Sequence, residues 1–221
     1  MMTCEHCRGV EREFNDRVVR RQLRRLRRKG PDRVTRLLIE ALRRASAGRH
    51  RDGVLLDVGS GVGAIPRAMV GSDVARAVLI EASPASLAAA REEAERSAMA
   101  TRVDLRQGDF VDLAAEVPAA DIVTLNRVIC CYPDMPRLVG LSASKARELY
   151  GAVYPRDVWW MRAFMRLYNA WQWVRRSPAR YFVHRHDQLE RWMSKAGYRN
   201  IHDGGIRVWR VVLYRRAEAT R

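Results

Sequence analysis

One junction constrains this chain more than any other. The apolar run Gly53-Val54-Leu55-Leu56-Asp57 passes at once into Val58-Gly59-Ser60-Gly61-Val62-Gly63. The run reads as a buried strand over 53–57. The alternating glycines let the backbone turn sharply and let a ligand press against main chain at a helix N-terminus. From here on the chain alternates. Segments 77–81, 102–107, 121–125 and 149–154 read as further strands. Helices are predicted near 62–70, 84–97 and 136–149, which argues for a parallel doubly wound sheet. A helix over 187–196, closed by Gly197, precedes an antiparallel pair, 198–203 and 206–214, across Gly204-Gly205. The count is seven strands in a Rossmann-like α/β arrangement.

Ahead of this unit lie two predicted helices. The first, over 10–28, carries Val10, Phe14, Val18, Leu23 and Leu26 along one stripe, with arginines on its wet face. Gly30-Pro31-Asp32 stops it and starts the second, with Asp32 as a cap candidate. Val34, Leu37, Leu38, Ala41, Leu42 and Ala45 form the apolar face of that second helix. Residues 1–50 therefore read as an N-terminal helical arm or lid, and 51–221 as the main domain. The charge follows the same division. Residues 1–51 hold 16 Lys/Arg against 6 Asp/Glu, residues 52–149 hold 10 against 14, and residues 150–221 hold 15 against 5. Two basic flanks enclose a mildly acidic middle, a distribution that suits ordinary solvated faces and also suits anionic partners.

No apolar run approaches the ~20 residues of a membrane span. Residues 1–7, Met-Met-Thr-Cys-Glu-His-Cys, contain no apolar signal core, so a cytoplasmic location is expected. A structural zinc site usually takes four N/S ligands. Cys4, His6 and Cys7 supply three, and no second C-x-x-C follows. Free thiols and no metal site are the expectation, for Cys130-Cys131 as well.

The glycine loop alone also fits a dinucleotide pattern through Gly59, Gly61 and Ala64. Two acids argue against a nicotinamide cofactor. Asp57 stands where a pyrophosphate would be repelled and a methionine ammonium group held. Glu81, about 20 residues on, fits that dinucleotide pattern too, but Gln107-Gly108-Asp109-Phe110 offers a second acidic anchor at the next strand end. This D-x-G-x-G-x-G run, the Glu ending the second strand and the G-D-F after the third resemble the ordered motifs of class I S-adenosylmethionine-dependent methyltransferases. The resemblance implies a methyltransferase sheet with S-adenosyl-L-methionine as cofactor. It implies Gly59, Gly61 and Gly63 beneath that cofactor, Asp57 near its amino-acid end, and Glu81, followed by Ala82, on the ribose hydroxyls. Asp109 would then meet the adenine amino group, with Phe110 beside the ring. Asn126 and Arg127, after the fourth strand, fall where the methyl group would face, with Tyr132 close behind.

The whole chain is also similar to the magnesium-protoporphyrin O-methyltransferases, through Arg28-Lys29-Gly30, Tyr154-Pro155-Arg156, Arg176-Ser177-Pro178 and the closing hairpin. It departs from them at Ile129-Cys130-Cys131-Tyr132, where they carry I-H-Y, and in having no Tyr before Tyr132.

Between 156 and 185 lies an aromatic-rich lid. Trp159, Trp160, Phe164, Tyr168, Trp171 and Trp173 alternate there with arginines. It reads as a helix packed on the sheet with snorkelling arginines, as a pocket wall for an apolar acceptor, or as a membrane-surface helix. His184 follows it and is a candidate proton acceptor; Arg127, Tyr132 and His184 are thus the catalytic candidates. The expected partner is a small, hydrophobic or aromatic methyl acceptor, with peripheral membrane contact allowed. Nucleic acid is not expected, since no RNA-binding module pattern is present. The rival readings are a tetrapyrrole carboxyl methyltransferase and, from another class, an RNA- or membrane-binding protein that retains the fold.

Overall fold

The buried strands pair into a seven-stranded sheet of order β3-β2-β1-β4-β5-β7-β6, in a computed structural model that describes residue 9 and residues 12–217. The strands are β1 Val54–Val58, β2 Arg76–Glu81, β3 Val103–Gln107, β4 Ala120–Asn126, β5 Ala146–Pro155, β6 Tyr198–Gly205 and β7 Trp209–Arg216. The first five run parallel, and β7 runs antiparallel between β5 and β6. Chain order reverses between β1, which continues to β2, and β4, which lies on its other side. The loops after β1 and β4 therefore diverge and leave a crevice at the carboxyl edge, where open α/β sheets bind ligands.

Period-two alternation sends side chains to both faces. Leu56, Val58, Val123, Leu125, Tyr150 and Tyr154 pack against α6 (Met135–Lys145) and α8 (His186–Lys195). Leu55, Leu79, Ile122, Leu149 and Val153 face α2 (Arg33–Ser46) and α3 (Ala64–Met69). The same layer holds α4 (Pro84–Arg96).

The arm consists of two unlike parts. Helix α2 belongs to the sheet: Val34, Leu38, Ile39 and Leu42 sit in the main core. Helix α1 (Asp16–Lys29) stands apart, and its Val19, Leu23 and Leu26 meet only Val62 and Ala89 in a small satellite cluster. An ionic clamp holds it there. The buried Glu93 of α4 receives Arg27 at 2.8 Å, Arg67 at 3.0 Å and Arg96 at 2.9 Å. Burial would raise that carboxyl, but the three guanidinium groups pull it down to about 2.

Several boundaries differ from the sequence expectation. The helix expected over 10–28 is interrupted: residues 9, 12 and 13 are helical, the chain turns at Phe14-Asn15, and α1 starts at Asp16, where Asn15 caps it through the Val18 N–H. Residues 10 and 11 lie outside the described set. The register of its stripe also shifts: Val19 is buried and Val18 exposed. The helix expected over 136–149 ends at Lys145, and β5 begins at Ala146, paired with Ala120. Helix-favouring Ala-Arg-Glu-Leu yields there to pairing with β4, joined by β7 from Leu149 onward. The closing turn falls at 206–208, where the Ile206 N–H donates to the Trp209 carbonyl, while Gly204 and Gly205 pair with Val211 and Arg210. Cys4, His6 and Cys7 lie outside the described residues. Among the described residues no cluster of His, Cys, Asp and Glu could hold a metal ion. No described helix is long and apolar enough to cross a membrane.

Candidate active site

The ends of β1, β2, β3 and β4 open into one cavity of about 650 Å³. Its floor is the loop after β1. Gly59 and Gly61 hold φ of +65° and +55°, a left-handed conformation that favours glycine. The Gly59 N–H donates to the Ile80 carbonyl at 2.8 Å and sews the loop to β2. Gly63 caps α3 and is not part of the cavity wall.

Glu81 ends β2 beside this floor, with Ala82 next to it on the wall. Its Oε2 accepts from the Gly61 N–H and its Oε1 from the Ser83 N–H, both at 2.8 Å. Burial pushes this carboxyl up. The Ala82 N–H also bears on this carboxylate, which with three backbone donors keeps acceptor capacity for a further donor from the cavity. Asp57 lies below the floor, not on the wall. It is 1% exposed, and it accepts from the Thr124 hydroxyl at 2.6 Å. Burial pushes its carboxyl up to about 7, against the Thr124 bond and helped by the charge of Glu81.

Asp109 caps α5 (Phe110–Leu113) through the Val111 N–H, with Phe110 beside it on the wall. The Tyr132 hydroxyl donates to Asp109 Oδ2 at 3.0 Å. Tyr132 is thus tied to the end of β3. Asn126 ends β4 and donates to Thr35 Oγ1 at 3.0 Å. Its Oδ1 is buried without a partner among the described residues. Arg127, itself left-handed at φ +64°, donates to Asp32 Oδ2 at 2.6 Å and to Thr35 Oγ1 at 3.1 Å. Burial would raise the Asp32 carboxyl, but the Arg127 charge and the Thr35 hydrogen bonds hold it below the usual range.

His184 stands off the wall, with Nε2 3.0 Å from the Ile129 carbonyl, and burial lowers its pKa. Cys130 and Cys131 do line the cavity, with Sγ atoms 3.6 Å apart. The hydrogen bond from Cys131, then burial, pushes the Cys130 thiol well up, so it stays protonated. Much of the remaining wall is apolar and aromatic. It comes from Leu26 of α1, from Phe164, Met165 and Tyr168 of α7 (Trp159–Val174), and from Tyr181 and Trp209.

Sequence reasoning gave Asp32 only a capping role and missed Thr35 and the α1 side chains Gln22, Arg25 and Leu26 on the wall. Thr35 did leave a signal. It is a polar residue on the apolar stripe of α2, one turn before Leu38 and Ile39.

A family profile described as a methyltransferase domain matches residues 24–203. The chain belongs to that methyltransferase family, whose cofactor is S-adenosylmethionine. No curated protein matches the chain. Among solved structures it is similar to magnesium protoporphyrin IX methyltransferase from Synechocystis PCC 6803 with bound SAH. That likeness has a TM-score of 0.73 and 15% identity, and covers 96% of this chain and 100% of that one. An O-methyltransferase family protein from Burkholderia thailandensis gives a TM-score of 0.69 at 14% identity, over 93% of this chain and 61% of that one. An O-methyltransferase family 2 protein from Planctomyces limnophilus, in complex with apigenin, gives 0.60 at 20% identity, over 88% and 64%. At these identities the likeness is one of fold.

Proposed function

We propose that the chain transfers a methyl group from S-adenosylmethionine to a small, hydrophobic or aromatic acceptor. The observation that carries this reading is the mixed wall of the cavity. Acids and open backbone from the strand ends share it with aromatic and sulfur-bearing side chains. Its volume, about 650 Å³, is within the usual range for small-molecule sites. The donors and acceptors fit the cofactor. A Cβ at Gly61 would meet nothing within 4 Å, so ligand can lie directly on this backbone. Glu81 has lone pairs for the ribose hydroxyls, and Asp109 with Phe110 suits an adenine. The unpartnered Asn126 Oδ1, above the buried Asp57, suits an ammonium group.

When bound, the cofactor supplies a methyl group on a positively charged sulfur, which is already a good leaving group. The residues on the acceptor side then contribute position and exclusion of water, not strong acid–base chemistry. Cys130 holds its proton and His184 faces a carbonyl. Arg127 acts as a positioning residue that locks the loop after β4 to the N-terminus of α2. Tyr132 steadies Asp109. A carboxylated tetrapyrrole is the second reading, favoured by the full-length likeness to the Synechocystis enzyme. Cys130 beside Tyr132 offers no base of the kind that family proposes, so magnesium-protoporphyrin is expected to be a poor acceptor.

The test is calorimetry. The protein should bind S-adenosylmethionine or S-adenosylhomocysteine and not NAD, and Glu81→Ala should weaken binding by about 1–3 kcal/mol, the range for lost hydrogen bonds to a charged partner. Unchanged affinity in that variant removes Glu81 from the ribose role.

The affinity should also depend on pH. With its carboxyl at about 7, Asp57 is mostly protonated at pH 6 and mostly ionised at pH 8. A cationic ligand favours the ionised form, so affinity should rise about tenfold over that interval and then level off. The fold responds with the opposite sign. A carboxyl raised above its unfolded value stabilises the protein when protonated, and that stability falls as pH rises from about 4 through about 7. Asp57→Asn should flatten both profiles. A flat affinity profile in the unaltered protein would count against an ammonium group near Asp57.

A further inference from the structure

Two surfaces beside the cavity mouth are left over by the methyl-transfer reading. The first is the outward side of α7. Trp159, Phe164, Leu167, Trp171, Trp173 and Val174 are between 47% and 80% exposed. Leu167, Trp171 and Val174 recur at i, i+4 and i+7, so they form one stripe along the helix, and Phe164 stands at its border with the cavity wall. The opposite side of α7 carries Met165 and Tyr168, which line the cavity, and the buried Met161 and Gln172. Exposure of so many large apolar side chains on one helix marks an interaction surface.

The second surface is on α1. Arg17, Arg20, Arg21, Arg24 and Arg28 recur at i, i+3, i+4, i+7 and i+11, and all are exposed. Among the described residues none of the five is in an ion pair; on α1 that role falls to Arg27, in the clamp on α4. The two helices border the same opening. Gln22, Arg25 and Leu26 of α1 line the same cavity as Phe164, Met165 and Tyr168 of α7. Gln172 of α7 donates to Glu13, just ahead of α1, at 2.6 Å.

We propose that this face docks on an anionic lipid bilayer, with α7 in the headgroup–acyl boundary and the α1 arginines on lipid phosphates. Each half needs that partner. Trp and Arg are residues of the membrane interface, where Arg175 already stacks over Trp171 at 4.5 Å. Leu167 and Val174 have no π-face for nucleic-acid bases, but hydrocarbon accepts aliphatic and aromatic side chains alike. A second copy would set one arginine stripe near another, which like-charge repulsion opposes. A bilayer carrying negative headgroups satisfies both surfaces at once. Where the methyl-transfer reading holds, a lipid-soluble acceptor enters the cavity from the bilayer.

The experiment is co-sedimentation of the full chain with large unilamellar vesicles of phosphatidylcholine, alone or with about one-third phosphatidylglycerol. Partition onto the anionic vesicles should be at least ~10-fold greater, should fall with salt, and should shift tryptophan fluorescence to the blue. Arg17→Gln/Arg20→Gln/Arg24→Gln and, separately, Leu167→Asp/Val174→Asp should each lower it on the order of 100-fold. None of these side chains lines the cavity, so thermal unfolding and S-adenosylhomocysteine affinity should be retained and report that the variants are folded. Failure of cofactor binding in the unaltered chain would count against the methyl-transfer reading and not against docking. The docking proposal is overturned by no partition at low salt or by partition indifferent to both variants. It is equally overturned by a dimer that Leu167→Asp dissolves without any vesicle binding, or by salt-sensitive capture of single-stranded RNA in place of vesicles.

Discussion

Removing residues 1–28 is expected to leave a folded protein that turns over a soluble acceptor on the order of 100-fold more slowly, the scale of loss when a site is left misaligned. Folding survives because neither main core uses α1. The side chains on the two sheet faces come from the strands and from helices that begin at α2. What goes is the satellite cluster of Val19, Leu23 and Leu26 on Val62 and Ala89. Glu93 keeps Arg67 and Arg96 when Arg27 is lost, so the buried carboxylate is not stranded. The catalytic loss follows from the wall. Gln22, Arg25 and Leu26 are removed from the cavity, and water enters where α1 had covered the crevice. A deletion through residue 50 should behave otherwise. It takes away Val34, Leu38, Ile39 and Leu42 along with the Thr35–Asn126 and Asp32–Arg127 contacts, and should not fold. Circular dichroism melts and turnover on both truncations separate these outcomes. Full activity after removal of 1–28 would show that α1 plays no part in the reaction.

The contrast between α1 and α2 shows where sequence reading stopped. Both helices display amphipathic periodicity, and periodicity says that a face is buried without saying against what. The strand ends were legible for a different reason. Asp57, Glu81 and Asp109 each follow an apolar run, and in a parallel sheet all such runs end at the same edge. Sequence order therefore places these acids near one another. The depth of Asp57 was not legible, because only the β1–β4 pairing brings Thr124 over it. The lock formed by Arg127, Asp32, Thr35 and Asn126 was hidden too. Its hydrogen bonds join residues 91 to 95 positions apart, and nothing local distinguishes Asp32 as partner from Asp32 as helix cap. Tyr132 followed the same logic. Reading outward from β4 placed it by Arg127, whereas its hydroxyl reaches across to Asp109. At the start of β5, local propensity favoured helix, and pairing with β4, then with β7 from Leu149, outweighed it.

The glycine loop allows a sharper test of the cofactor site, since Gly59 and Gly61 share a conformation and differ in surroundings. Both hold positive φ, so alanine at either position carries a left-handed penalty of about 1–2 kcal/mol. At Gly61 that should be nearly the whole cost to the fold, because its Cβ would meet nothing within 4 Å. At Gly59 the new Cβ would come within 2.4 Å of Val128 Cγ2. Val128 is branched, follows the left-handed Arg127 and packs against the core, so it gives way only at a cost. Overpacking of this kind adds about 1–3 kcal/mol. Gly59→Ala should therefore lower the unfolding temperature well beyond Gly61→Ala. Cofactor affinity should show no such gap. The open space above Gly61 is the cavity itself, and a methyl group there occupies the surface on which the ligand must lie. Gly59→Ala acts from the other side, by displacing the loop that carries Arg127 and Val128. Each variant should lose on the order of 100-fold in S-adenosylmethionine affinity, as expected when close backbone approach is blocked or a bound ligand is displaced by about 1 Å. Calorimetry beside thermal unfolding reads the two effects separately. If Gly61→Ala binds the cofactor as tightly as the unaltered protein, the ligand does not rest on this loop, and the assignment of the cavity floor falls with it.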